Sequence, residues 1–281
     1  MLKIGSHIPF KSPNYLVDSV KETINNGANV MMIYLGAPQN SKRVSIEKYN
    51  LEQYQKKFNQ IIKPEDIIVH APYIINLANK EKENFAKQFL IEEIKRMNYI
   101  GAKYIVLHPG ASLKQNVDEA IINLSNNIKD VLKETKDVEI IIETMSGKGT
   151  EIGTSLEQLA KIIDLINDQR IGICLDTCHM WDAGYDLKND FENNNGEILF
   201  NKLNQLNLLK RIKVIHLNDS KNNIGSHKDR HENIGKGFIG LKALKKFANH
   251  PNFDNIPIIL ETPWVEDKMI YKEEIQMIKN D

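Results

Sequence analysis

Residues 225–235 read GSHKDRHENIG, with His227, Asp229 and His231 at alternate positions. Imidazole and carboxylate are the ligand types of divalent metals that take mixed nitrogen and oxygen donors. The Lys, Arg, Asn and Gly around them mark a solvated loop. The stretch is therefore either an ordinary polar loop or half of a metal site completed elsewhere. The same residue types recur where apolar runs end: His70 in IVHAPY, His108 in VLHPG, Glu143 in IIIET, Asp176 in ICLDT, His216 in VIHLND and Glu261 in IILET. His179 follows closely in CLDTCH. An acid or imidazole in a buried strand is costly unless it is paired or bound to metal. For one such residue, a satisfied core group is the ordinary explanation. Six consecutive runs ending this way call for a common cause.

Strands are predicted at 2–8, 29–35, 66–73, 104–110, 138–144, 171–177, 212–219 and 256–262. Most are continuously apolar, the pattern of strands buried on both faces. Helices are predicted at 13–26, 47–60, 82–100, 116–134, 155–167, 198–210, 240–248 and 267–279. Ser155 and Gln158 offer a capping box for the fifth. NDFENNNGE (189–197) is the most polar stretch and reads as a surface insertion. Strands alternating with helices over 281 residues predict a (β/α)₈ TIM barrel in a single domain, 1–281, with an open doubly wound sheet as the alternative.

In a barrel the C-terminal strand ends share one face, where active sites are built. The loop after the seventh strand brings Asp229 and His231 there, beside His179. The donor set is then five His (70, 108, 179, 216, 231) and four carboxylates (Glu143, Asp176, Asp229, Glu261). These donors suit Zn²⁺ and also Mn²⁺. They are too many for one ion and, with bridging carboxylates, suit three. Three divalent cations against four carboxylates leave about +2, a pocket that favours phosphate. His227 lacks a second partner and reads as a loop residue close to substrate. His7 ends the first strand and reads as a neighbour of the site. His250 reads as structural, and Cys178 as packing.

Composition narrows the class. Lys plus Arg balance Asp plus Glu at 37 each, so net charge neither suggests nor excludes nucleic acid. The two cysteines, Cys174 and Cys178, provide no disulfide framework and fit a reducing compartment. MLKIGSHIPF lacks the apolar core of a signal peptide, and no run suits a membrane span, so an intracellular protein without membrane association is expected. GKGFIG (235–240) matches a dinucleotide fingerprint but follows HENI rather than a strand. It reads as a tight turn whose N–H groups could hold phosphate. SGKGT (146–150) lacks the first Gly of a Walker loop and reads as a plain strand-to-helix loop.

The segments HAPYIINLA (70–78), IIETMSGKGTEIG (141–153), GICLDTCHMWDAGYD (172–186) and HLNDSKNNIGSHKDRHENIG (216–235) resemble the endonuclease IV family of apurinic/apyrimidinic (AP) endonucleases. The resemblance runs from IGSHIP to ILETP. It implies a TIM barrel with three zinc ions, Mn²⁺ being possible at one position. One zinc would take His70, His108 and bridging Glu143. A second would take Glu143, Asp176, His216 and Glu261, and the third His179, Asp229 and His231. The implied reaction is hydrolysis of the phosphodiester 5′ to an abasic site in duplex DNA, leaving a 3′-hydroxyl, with trimming of 3′-blocked ends. Glu143, Asp176 and Glu261 would stand at the reacting centre, Glu261 orienting or deprotonating the attacking water. The match also assigns Tyr73 and Ile74 as wedges that bend the duplex and turn out the abasic nucleotide. Gln39, Asn40, Lys42 and Arg43 of GAPQNSKR (36–43) are the other DNA contacts it suggests. No obligate protein partner is implied.

Two rivals remain at this level. A metal-dependent sugar isomerase or epimerase could share the barrel, but it leaves the set His179, Asp229 and His231 unexplained. A non-cleaving binder of damaged DNA would not need a full ligand set.

Overall fold

The computed structural model describes residues 2–280. Eight parallel strands close into a barrel: β1 (Ile4–His7), β2 (Val30–Ile33), β3 (Ile67–His70), β4 (Tyr104–Leu107), β5 (Glu139–Glu143), β6 (Ile171–Asp176), β7 (Ile212–His216) and β8 (Ile258–Leu260). Each pairs with its neighbours in sequence, and β8 pairs with β1. This is the TIM barrel expected above, and closure rules out the open sheet. No described helix is long and apolar enough to cross a membrane.

The apolar runs separate into two packing surfaces because side chains alternate across a strand. Val30, Met32, Ile68, Val106, Ile141, Cys174, Val214 and Ile259 form a small cluster of their own, drawn from seven strands. It fills the barrel interior, as this fold requires. The intervening residues, such as Met31, Ile67, Ile105 and Ile140, join the larger core beneath the helices. Counting two residues on from each inner residue gives Tyr34, His70, His108, Glu143, Asp176, His216 and Glu261. Gly5 leads in the same way to His7. Strand alternation therefore aims one residue from each of the eight strands into the barrel mouth, directly above the apolar plug.

The helices are α1 (Leu16–Asn25), α2 (Leu51–Lys57), α3 (Glu83–Ile100), α4 (Val117–Glu134), α5 (Leu156–Ile166), α6 (Thr177–Asp182), α7 (Leu187–Asn193), α8 (Glu197–Gln205), α9 (Leu241–Ala248) and α10 (Tyr271–Lys279). Ser155 caps α5 by accepting the Gln158 N–H (3.2 Å), but Gln158 reaches back to the N–H groups of Gly153 and Thr154 rather than to that of Ser155. Helix α10 begins later than its periodicity suggests. Glu266 and Asp267 both take positive φ in a turn closed by Val265 and Lys268.

The segment 189–197 is not a surface insertion. It holds most of α7 and the start of α8, and Phe191 is fully buried against Phe247 and Phe200. The polar residues facing solvent hide that single anchor. Helix α6 was not expected either. It is a single short piece, started by the Asp176 carboxylate accepting the His179 N–H (2.8 Å).

Candidate metal centre

Ligand-type side chains gather at the C-terminal mouth in four overlapping groups, each with donor atoms within 4.8 Å of one another: His70, Glu143 and His216; Glu143, Asp176, His216 and Glu261; His179, Asp229 and His231; and Asp176, Cys178 and His231. Glu143 lies between the first two. Its Oε2 stands 3.3 Å from His70 Nε2 and 3.1 Å from His108 Nε2, while Oε1 stands 2.9 Å from His216 Nδ1. A carboxylate with one oxygen facing each set is placed to bridge. His108, the one expected donor outside these groups, lines a cavity of about 580 Å³ at the same mouth, with His7, Tyr73, Lys148 and Trp264.

The hydrogen bonds decide whether these residues fit metal. His70, His179 and His231 each direct Nδ1 at a backbone carbonyl: Ala71 O (2.8 Å), Thr144 O (2.8 Å) and Glu261 O (3.0 Å). A carbonyl only accepts, so Nδ1 carries the proton and Nε2 of the neutral ring presents a lone pair. That lone pair faces carboxylate oxygen, 3.3 Å away at His70 and 3.1 Å at His179. His231 Nε2 is buried without a hydrogen-bond partner, between Asp229 (3.6 Å) and Asp176 (3.7 Å). Lone pairs opposed at these distances repel unless a proton or a cation lies between them. The donor set therefore fits divalent metal.

Electrostatics agree. Burial opposes charge on Glu143, yet His216 and His108 hold its carboxyl well below the ordinary range. Burial likewise opposes charge on Glu261, and His216 again keeps it ionised. Asp229 is brought down to about 2 by His179 and His231 against its own burial. Burial would lower His179 and His216, but their acidic neighbours raise both well above the usual value. Those neighbours favour a proton on either ring, and metal must compete with it. We expect zinc binding to chelator-stripped protein to release protons, and affinity to weaken as pH falls. Calorimetry in buffers of different ionisation enthalpy measures this; an enthalpy independent of buffer contradicts it.

Supporting contacts that the sequence reading missed hold the ligands in place. Asn218 donates to Asp176 Oδ2 (2.7 Å) and accepts the Glu261 N–H (2.8 Å), locking β6 to β8. Thr144 accepts the Asp176 N–H (2.9 Å). Buried Asp182 accepts the N–H groups of Lys228 and Asp229 and the Ser220 hydroxyl, fixing the loop that carries Asp229.

The other marked residues fall as follows. His227 donates to Ser146 O (2.7 Å), clasping the 146–150 loop to the loop after β7. His7 packs edge-on to Tyr34, and burial lowers its pKa to about 4, but it joins none of the four groups. His250 stacks on Phe200. Cys178 is buried near Asp176 and His231, and burial pushes its thiol up, so it stays protonated. The N–H groups of GKGFIG are not free for phosphate. Asp219 fills the turn, accepting from Gly235, Gly237, Ile239 and Gly240. Glu151 does the same for Gly147 and Lys148 in the other glycine loop.

Of the residues matched to DNA contacts, Tyr73 is 53% exposed and stacked on His108, and Ile74 is half-buried behind it. Gln39, Asn40 and Lys42 are exposed. Arg43 is not available to a phosphate: its side chain is 4% exposed, paired with Glu93 (2.8 Å) and seated over Phe89.

Comparison with known proteins places this geometry in context. A family model described as xylose isomerase-like TIM barrel matches residues 20–281. The chain is 56% identical to "Probable endonuclease 4" of Mycoplasmopsis agalactiae over 278 residues, covering 99% of this chain and 98% of that one. It is 57% identical to "Probable endonuclease 4" of Mycoplasmopsis pulmonis over 280 residues, covering 99% of both. The crystal structure of endonuclease IV from Thermus thermophilus superposes with a TM-score of 0.85 at 23% identity, covering 98% of this chain and 97% of that one. A 3-keto-D-glucoside 4-epimerase from E. coli shares the fold at a TM-score of 0.69 and 13% identity, covering 100% of both chains.

Proposed function

The chain belongs to the endonuclease IV family of AP endonucleases, and from that premise we propose that it hydrolyses the phosphodiester 5′ to abasic sites in duplex DNA and trims blocked 3′ ends. The observation that carries this reading is the convergence of nine nitrogen and oxygen donors on one barrel mouth, with imidazole lone pairs turned on carboxylates.

We assign three zinc ions to this mouth. His70, His108 and Glu143 would hold one, Glu143, Asp176, His216 and Glu261 a second, and His179, Asp229 and His231 the third. Bound zinc supplies Lewis acidity and positive charge at a phosphodiester. Glu261 opens onto the cavity, so its carboxylate can orient the attacking water and accept its proton. Glu143 and Asp176 hold the reacting centre from beneath. His179, Asp229 and His231 flank the position of the departing 3′ oxygen. Tyr73, exposed at the rim with Ile74 behind it, serves as the wedge in the stack; Gln39 or Asn40 inserts from the second loop, and Lys42 contacts the backbone.

Incision of a duplex carrying one tetrahydrofuran abasic analogue tests the reading. The analogue resists β-elimination, so only hydrolysis cuts it. A cut on its 5′ side whose end a polymerase extends is the expected result; no cut by zinc-loaded protein rejects the proposal. Tyr73→Ala is expected to reduce discrimination of abasic over intact duplex at least about fivefold, the loss of one stacking contact. A binding titration that shows equal discrimination places the wedge elsewhere.

A further inference from the structure

We propose that Trp264 is a specificity-determining residue that stacks on an intact nucleobase beside the scissile phosphate. This rests on the functional reading above. Of the two tryptophans in the chain, Trp181 is buried and donates its indole N–H to Asn222 O (2.9 Å), an ordinary packed arrangement. Trp264 is the opposite case. It is 56% exposed and lines the same cavity as His70, Glu143, Asp229 and Glu261.

A single exposed apolar residue needs no explanation. Here two further facts bear on it. The backbone that carries Trp264 is anchored rather than loose. Pro263 O accepts from Asn233 (2.9 Å), Thr262 donates to buried Glu274, and Glu274 also accepts the Asn233 amide and the Ile234 N–H. Beyond it, Val265 and Lys268 exchange two 2.9 Å hydrogen bonds around the turn at Glu266 and Asp267. The indole is thus presented from a built platform. The second fact is symmetry of chemistry at the mouth: Tyr73, on the loop after β3, is the other large exposed aromatic lining this cavity. The rest of the lining is imidazole, carboxylate, Lys148, Thr262 and the buried Tyr271. An abasic sugar has no base to offer an aromatic face, and the metal-facing groups need none. Two aromatic posts at the rim fit the neighbouring nucleotides, whose π-faces stack irrespective of sequence.

Trp264→Ala is expected to raise KM for the tetrahydrofuran duplex about tenfold while kcat stays within about twofold, and Trp264→Phe to restore KM. Binding of the nicked product duplex should quench the parent's tryptophan fluorescence, and the Phe variant should lose that quench. Metal content is measured on all three proteins. Unchanged KM in the Ala variant, a quench that persists in the Phe variant, or a fall in kcat together with lost metal overturns the proposal, the last by making Trp264 a prop for the metal centre. If the parent itself makes no cut, the functional reading fails and this one with it. If the parent cuts and Trp264→Ala is indistinguishable from it, only this one fails.

Discussion

Glu261→Gln is expected to lower the single-turnover rate of incision by about three orders of magnitude, the range lost when a positioned proton acceptor is removed. The amide keeps the shape of the carboxylate and cannot accept the proton; three other donors of its group, Glu143, Asp176 and His216, remain to hold the ion, and metal content is measured on the same samples. The fold is expected to survive, because the Glu261 backbone is held independently, its N–H by Asn218 and its carbonyl by His231. One ion-pairing partner of His216 is lost (3.1 Å), but Glu143 remains 2.9 Å from the same nitrogen. DNA binding by the variant should therefore stay close to that of the parent. Near-normal turnover removes Glu261 from the mechanism. Loss of binding in parallel with turnover gives it a structural role instead.

Asp229→Asn is the second large effect. Asp229 is the only carboxylate in its group of three, facing His179 at 3.1 Å and His231 at 3.6 Å. The amide presents a neutral oxygen in its place. Metal content should fall by one ion per chain, and incision at least about a hundredfold, since a metal at the leaving oxygen contributes several kcal/mol to the transition state. The loop itself should hold, because its anchors at Asp182 come from the Lys228 and Asp229 backbone and not from the replaced side chain. Full metal content with full activity in the variant would show that the group does not bind an ion the reaction needs.

The sequence made the barrel and its mouth readable because strand alternation is local. Each apolar run carries an inner residue two positions before its ligand-type end, as in Ile68 and His70, Ile141 and Glu143, Val214 and His216. Whoever reads the run also reads where its last side chain points. What escaped were contacts made across the chain. Arg43 sits in an exposed-looking loop, and nothing near it in sequence announces Glu93, fifty residues on. The glycines of 235–240 look ready for a phosphate until Asp219 is seen to occupy their N–H groups. Asn218 and Asp182 read as loop or helix polar residues, and only the closed barrel brings them against Asp176 and Asp229. Helix α7 was lost for a different reason. Its polar surface is long and its burial rests mainly on Leu187 and Phe191, too few for a visible stripe.

Dependence of incision on metal is measured by returning zinc stepwise to chelator-stripped protein and following bound metal and incision of the tetrahydrofuran duplex on the same samples. No cut is expected from the stripped protein, and incision should reach its plateau only as loading approaches three ions per chain. Full incision by stripped protein, or none at three ions per chain, would contradict this dependence.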